Sequence, residues 1–155
     1  MEKTITRITL TSDIPALVTE INKAQWDERN AMPEYSESAL RAYLNKEDTL
    51  FIACHAHEDQ RQQLLGIASA RIEQKPYDHE RWMYVDEVDV CADQRRQGAG
   101  TLLMQALIDL AEAEGCEELW LGADADNEAA QALYQSLDPD DVTSVVGFTY
   151  ETDPD

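Results

Sequence analysis

The stretch Val85 to Gly100, VDEVDVCADQRRQGAG, runs directly into TLLMQALIDLAEAEG, and few architectures accept that order. Val85, Val88 and Val90 form a β-branched run that reads as a strand. Its side-chain period of two sets Glu87 and Asp89 on one face and Asp86 on the other. A polar turn follows, with Arg95, Arg96 and Gln97 ahead of Gly98-Ala99-Gly100. Leu102, Leu103, Ala106, Leu107 and Leu110 then recur at helical spacing until Gly115 stops the helix. A strand feeding a glycine turn into a helix N-terminus makes an anion site. Gly98 and Gly100 let a ligand approach the backbone, and the first amides carry the positive end of the helix dipole.

The spacing decides among anions. Neither GxGxxG nor GxxxxGK[ST] is present, which argues against dinucleotide and nucleoside-triphosphate loops. The hexapeptide Arg95-Arg96-Gln97-Gly98-Ala99-Gly100 resembles the R/Q-x-x-G-x-G/A pyrophosphate loop of the GNAT superfamily of acyl-CoA N-acyltransferases. The DEVDV strand before it and Asn127 with Ala132-Leu133-Tyr134 after it strengthen the resemblance. It extends over nearly the whole chain, although the motifs lie between Asp86 and Tyr134. The acidic strand, QRRQG, AxALYxxL and the short tail look most like the small aminoglycoside N-acetyltransferases, particularly the 3-N group. One departure is the end of the chain. Family members commonly finish with leucine-glycine and two strands, whereas SLDPDD here precedes what reads as one.

The resemblance implies a mixed α/β GNAT fold: a mostly antiparallel central sheet of about six strands flanked by about four helices, with residues 1–155 as a single domain. It also implies attack of an acceptor amine on acetyl-CoA in a ternary complex, and a homodimer as the family's habit. Amides from Arg96 through Gln97, Gly98, Ala99 and Gly100 to Thr101 would take the diphosphate, with Arg95 and Arg96 adding charge. Main-chain groups of Val88 and Val90 would pair with the pantetheine arm, Asn127 would bond it, and an amide near Val88 or Asp89 would receive the thioester oxyanion. Tyr134 occupies the family's general-acid position. A phenol pKa near 10 against a thiol near 8.5 leaves that proton transfer only mildly uphill.

A protonated alkyl amine cannot attack, and deprotonating it at pH 7 costs about 4–5 kcal/mol. Glu87, directly or through water, is the base expected to help carry that cost, with Asp89 as the cation anchor. Further acceptor contacts are expected from Trp26, Asp27, Glu28, Glu34 and Tyr35, from Asp124 and Asp126, and near Glu151. Cys54, His55 and His57 do not converge as metal ligands, since alternation separates the histidines from the cysteine. No Ser-His-Asp or Cys-His nucleophile arrangement stands out.

Charge sharpens the reading. The chain holds 12 Lys and Arg against 32 Asp and Glu, a net of −20. From Gln97 to Asp155 there are 14 acidic residues and no Lys or Arg. Such a surface repels nucleic acid and anionic membranes and attracts polycations, although a solvated acidic surface, kept for solubility or suited to high salt, accounts for the charge equally well. No run approaches a membrane span, the Met1-Glu2-Lys3 start opens no signal peptide, and three cysteines in apolar runs suit a reducing, cytoplasmic setting. The expected activity is therefore acetylation of a small polycationic amine, an aminoglycoside for preference. A polyamine or a peptide amine is the runner-up, and a silent CoA-binding module is the alternative of another class.

The remaining elements read in order. Residues 4–10 form an edge strand, and a helix capped at Thr11-Ser12-Asp13 carries Ile14, Leu17, Val18 and Ile21. A second helix starts near Ser36 or Ser38 and ends by Lys46. Strands are predicted at 49–53, 64–72 with a bulge at Gly66, 82–91, 118–122 and 142–151, with HAHEDQRQQ as a turn. A helix capped by Asn127 runs from Glu128 to Leu137.

Overall fold

The computed structural model describes residues 1–26, 32–92 and 98–154. The chain divides into two compact units, Met1–Leu121 and Gly122–Asp155. The first holds β1 (Glu2–Arg7), α1 (Ile14–Lys23), α2 (Glu37–Leu44), β2 (Thr49–Glu58), β3 (Arg61–Gln74), β4 (Arg81–Val90), α3 (Ala99–Ala113) and β5 (Glu118–Trp120). The second holds α4 (Glu128–Gln135).

The sheet runs in the order β1-β2-β3-β4-β5. Its first four strands are antiparallel neighbours, and β5 lies parallel to β4. That parallel pair needs a crossover connection, which α3 supplies. Among the described residues the fold is thus the mixed, mostly antiparallel α/β sheet with four helices that the sequence leads one to expect.

Strand alternation gives the sheet two apolar faces. On one, Leu50, Ile52, Ala68, Ala70 and Met83 are buried, and α3 lies over these strands with Leu103, Met104, Leu107 and Ala111 inward. On the other, Phe51, Ala53, Leu64 and Ile67 join Ile14, Leu17 and Ile21 of α1 and Leu40 of α2 in one cluster. Asp13 caps α1 by accepting from the Ala16 amide, and Ser36 caps α2 by accepting from that of Ala39. Pro15, in the first turn of α1, loses no helical hydrogen bond there.

Two expectations need correction. HAHE continues β2 instead of turning, because β1 pairs with it as far as Glu2↔His57 and β3 as far as Glu58↔Arg61. The turn shrinks to Asp59-Gln60, both at positive φ (49° and 65°), the geometry of a tight two-residue hairpin. Residues 142–151 form no strand, and among the described residues the sheet has five strands, close to the expected six or so. A strand exists only where a neighbour takes its amides and carbonyls, and among the described residues no strand pairs with this stretch. The bulge expected near Gly66 falls between Cys54↔Gly66 and His55↔Leu64, which leaves Leu65 as the extra residue. Cys54 and Cys91 are buried thiols, Cys116 is half-buried, and none of the three is in a disulfide. Among the described residues no helix is long and apolar enough to cross a membrane.

Candidate active site

β4 carries the site, and a second bulge shapes it. The ladder with β3 passes from Ala70↔Val85 to Ser69↔Glu87, so Asp86 has no partner opposite. Trp82 and Tyr84 point to the α1/α2 side of the sheet, and Asp86 follows them by alternation. The extra residue then returns Glu87 to that side as well, with Asp89 two residues on. The sequence expectation that Asp86 points away is therefore corrected. Asp86 and Glu87 both line one cavity.

That cavity measures about 350 Å³ and opens between the sheet and α2. Its walls are Pro33, Glu34, Tyr35 and Ser36, Ala39, Leu40 and Tyr43 of α2, Phe51 of β2, Ser69 of β3, and Asp86 and Glu87. Tyr35 and Tyr43 stand edge-on to Phe51, with ring centroids 6.1 and 6.4 Å away. The Tyr43 hydroxyl donates toward the carbonyls of Leu50 (3.1 Å) and Ala70 (2.9 Å), which ties α2 to two strands. The arrangement is an aromatic floor beneath carboxylates. It suits an organic cation, whose carbon frame packs on rings while its charge meets Glu34 and Glu87.

The carboxylates differ in their surroundings. Asp86 is ion-paired with the Arg71 guanidinium, which also reaches Glu73 at 3.2 Å. Glu87 is exposed and accepts no hydrogen bond among the described residues. Asp89 is buried, at 5% exposure. Burial, reinforced by the negative charges of Glu87 and Asp89, pushes the Tyr35 phenol up to about 12. Tyr35 is therefore a neutral hydrogen-bond donor at any working pH.

The cofactor expectations fall on two features. Gly98 has φ of 83° and begins α3 without a side-chain cap, so the first-turn amides at Ala99, Gly100 and Thr101 have no side-chain acceptor from the cap. Among the described residues a Cβ at Gly98 would meet nothing within 4 Å, so it is the positive φ that calls for glycine there. The β4–β5 ladder ends at Tyr84↔Trp120, and beyond it the β5-facing edge of Val85–Val90 pairs with no strand among the described residues. An extended group laid along Val88 and Val90 would meet an open strand edge. Arg95, Arg96 and Gln97 lie outside the described residues, as do Asp27 and Glu28.

The other expected residues are placed as follows. Trp26 donates its indole N–H to the Ile21 carbonyl (2.9 Å) and packs on the core cluster, away from the cavity lining. In the second unit, Asn127 caps α4 by accepting from the Ala130 amide at 3.1 Å. Tyr134 follows it by two helical turns, on the same side of α4. Carbonyls of Asp124 and Ala125 accept from the Gln131 side chain (3.0 and 2.8 Å), which builds the turn into α4. Glu151 is exposed in an irregular segment. His55 is buried, with Nε2 at 3.2 Å from both carboxylate oxygens of Glu20, and no group of three or more metal-ligating side chains occurs among the described residues.

Beyond Glu34, Tyr35 and Glu87, the cavity brings in residues that the sequence reading did not anticipate, among them Tyr43, Phe51, Ser69 and Asp86. Tyr43 and Phe51 read as ordinary core positions. Ser69 and Asp86 depend on the β3–β4 register, which strand alternation alone does not contain.

Comparison with known proteins bears on the fold and the family. The "[Ribosomal protein bS18]-alanine N-acetyltransferase" of Escherichia coli (strain K12) is 48% identical over 50 residues, which cover 32% of this chain and 34% of that one. The mycothiol acetyltransferase of Renibacterium salmoninarum is 34% identical over 79 residues, 51% of this chain and 23% of that one. The match thus spans about a third or less of these curated relatives. Crystal structures of an aminoglycoside acetyltransferase from an uncultured soil metagenomic sample, in complex with trehalose and with sisomicin, superpose with a TM-score of 0.81. They share 21% identity over 97% of both chains, a likeness of fold. The model of the "Acetyltransferase (GNAT) family" matches residues 17–138, and the chain belongs to that family.

Proposed function

We propose that this protein transfers the acetyl group of acetyl-CoA to a primary amine of a small polycationic acceptor, an aminoglycoside for preference. The observation that carries the reading is the cavity, where an aromatic floor of Tyr35, Tyr43 and Phe51 meets the carboxylates of Glu34 and Glu87. Acetyl-CoA, when bound, supplies an activated thioester. The α3 N-terminus and the open edge of β4 suit a diphosphate and an extended amide-bearing arm respectively. Arg95, Arg96 and Gln97 would add to the diphosphate site, and Asn127 would bond the arm.

In this reading Glu87 accepts the proton from the acceptor ammonium, directly or through water, so that the amine lone pair becomes available. Asp89 holds that ammonium on the same strand face, and Tyr35 donates its phenolic hydrogen to an acceptor oxygen or to a carboxylate. The amide near Val88 or Asp89 stabilises the oxyanion. Tyr134 returns a proton to the departing sulfur. Asp124, Asp126 and Glu151 extend the negative field that gathers a polycation. A polyamine fits the same chemistry. A peptide N-terminus is the reading that the bS18-alanine relatives suggest, although the match to them spans only 34% of their length.

Thiol release from acetyl-CoA tests the proposal, with sisomicin, spermidine, a simple mono-amine and an alanine-leading peptide as acceptors. Amine-dependent release that is fastest with sisomicin supports it. Release with the peptide alone makes the protein a peptide N-acetyltransferase. Silence on all acceptors alongside tight CoA binding makes it a binding module.

A further inference from the structure

We propose that Asn22 is a positioning residue for the acceptor, its side-chain amide holding the Pro33–Ser36 wall of the cavity, and Tyr35 with it, against α1. The inference rests on the reading of this cavity as the acceptor site. Asn22 lies in the last turn of α1, on its exposed side, next to core residue Ile21. Its Nδ2 donates to the Tyr35 carbonyl at 2.9 Å, and its Oδ1 accepts from the Tyr35 amide at 2.9 Å. Two bonds of opposite sense to one residue's main chain are what a neighbouring β-strand would provide. Here a side chain provides them, bridging a separation of 13 residues.

Only a carboxamide presents one donor and one acceptor at this spacing. Aspartate keeps the acceptor for the Tyr35 amide but sets a second oxygen against the Tyr35 carbonyl, where the amide donated. Immediately beyond Tyr35, the Ser36 hydroxyl caps α2 through the Ala39 amide at 3.1 Å. The wall is thus fixed at Asn22 and again at Ser36. Between those anchors the Tyr35 ring meets Phe51 at 65° and lines the same cavity as Glu87. Asn22 is not among the residues that line the cavity. Its removal therefore frees the wall without deleting a cavity group.

The test compares wild type with Asn22→Ala and Asn22→Asp, using sisomicin as acceptor and hydrogen exchange at the Tyr35 amide. Both variants are expected to raise the sisomicin KM about 5- to 30-fold, with kcat held within about twofold. The acetyl-CoA KM stays unchanged, and exchange at the Tyr35 amide accelerates. A purely structural role would instead lower kcat with the folded fraction and leave both KM values alone, which overturns the proposal. Faster Tyr35 exchange with an unaltered sisomicin KM overturns it too. If the wild type releases no thiol with any amine, the functional reading fails by itself. Asn22 is then judged by sisomicin calorimetry and Tyr35 exchange, and wild-type values of either in Asn22→Ala overturn its role.

Discussion

Asp86 and Glu87 are consecutive residues that line the same cavity from one strand, because Asp86 is the residue that the β3 ladder skips. The bulge doubles the carboxylates that one edge of the cavity presents. It also separates their surroundings, since Arg71 engages Asp86 and leaves Glu87 open. A charged acceptor would therefore meet one compensated and one uncompensated carboxylate, and the balance between them is adjustable at Arg71.

Arg71→Gln should tighten binding of a polycation. The Arg71–Asp86 pair is about 40% exposed on each side, so its effect is screened and modest. At about 0.05 M salt the sisomicin KM should fall roughly two- to fivefold, and the gain should vanish near 0.5 M, where the Debye length has shrunk from about 14 to about 4 Å. A mono-amine should respond little. Steady-state kinetics against ionic strength checks this, and a raised KM would mean that the guanidinium itself holds the acceptor.

Gly66→Ala should destabilise the protein by about 1–3 kcal/mol, the range for overpacking a close-packed interior. A Cβ there would sit 2.7 Å from the Asp89 carbonyl oxygen and 3.0 Å from Leu103 Cδ1, with α3 packed over the strands. The neighbour at 2.7 Å is backbone, so relief requires β4 to shift at Asp89–Val90, in the strand proposed to pair with the cofactor arm. Urea unfolding reads the loss. An unchanged midpoint with an unchanged slope would show that the strands separate at no cost.

Tyr35 gives the pH prediction. Its folded pKa is raised from the ordinary 10.0 to about 12, by burial first and then by Glu87 and Asp89. The proton is held more tightly in the folded state. Tyr35 therefore contributes stability that is fully present below pH 10 and is lost as pH climbs toward 12. Tyr35→Phe should lack that component, so its stability should fall less steeply over the window. In absorbance titrations the wild type should show one late phenolate that the variant lacks. If Tyr35→Phe instead loses an ordinary transition near pH 10, the ring is not shielded as the cavity geometry requires.

Much of this was legible in the sequence because it rests on local rules. The Val85–Val90 strand, the Gly98 turn into α3, the Asn127 cap and the 3.6-residue stripes of α1 and α3 are set within a few residues. The placement of Asp86 was not legible, since it follows from a register step against Ser69 and Ala70 on a distant strand. The strand expected at 142–151 failed for a related reason. Val142, Val145, Phe148 and Tyr150 have β-forming side chains, but a strand also needs a partner edge, and sequence periodicity does not supply one. The Asn22 bridge to Tyr35 was invisible as well, because an exposed asparagine near a helix end reads as ordinary surface.

The central claim is that Glu87 removes a proton from an amine in this cavity. Its most direct test is thiol release with sisomicin by wild type and Glu87→Gln, side by side, with CoA affinity measured by calorimetry. The account predicts sustained release by the wild type and a loss of kcat of about 10²- to 10³-fold in the variant, the range for removing one general base. CoA affinity and folding stability should not change, since Glu87 is exposed and accepts no hydrogen bond among the described residues. Equal turnover by Glu87→Gln, or no amine-dependent release by the wild type, would contradict it.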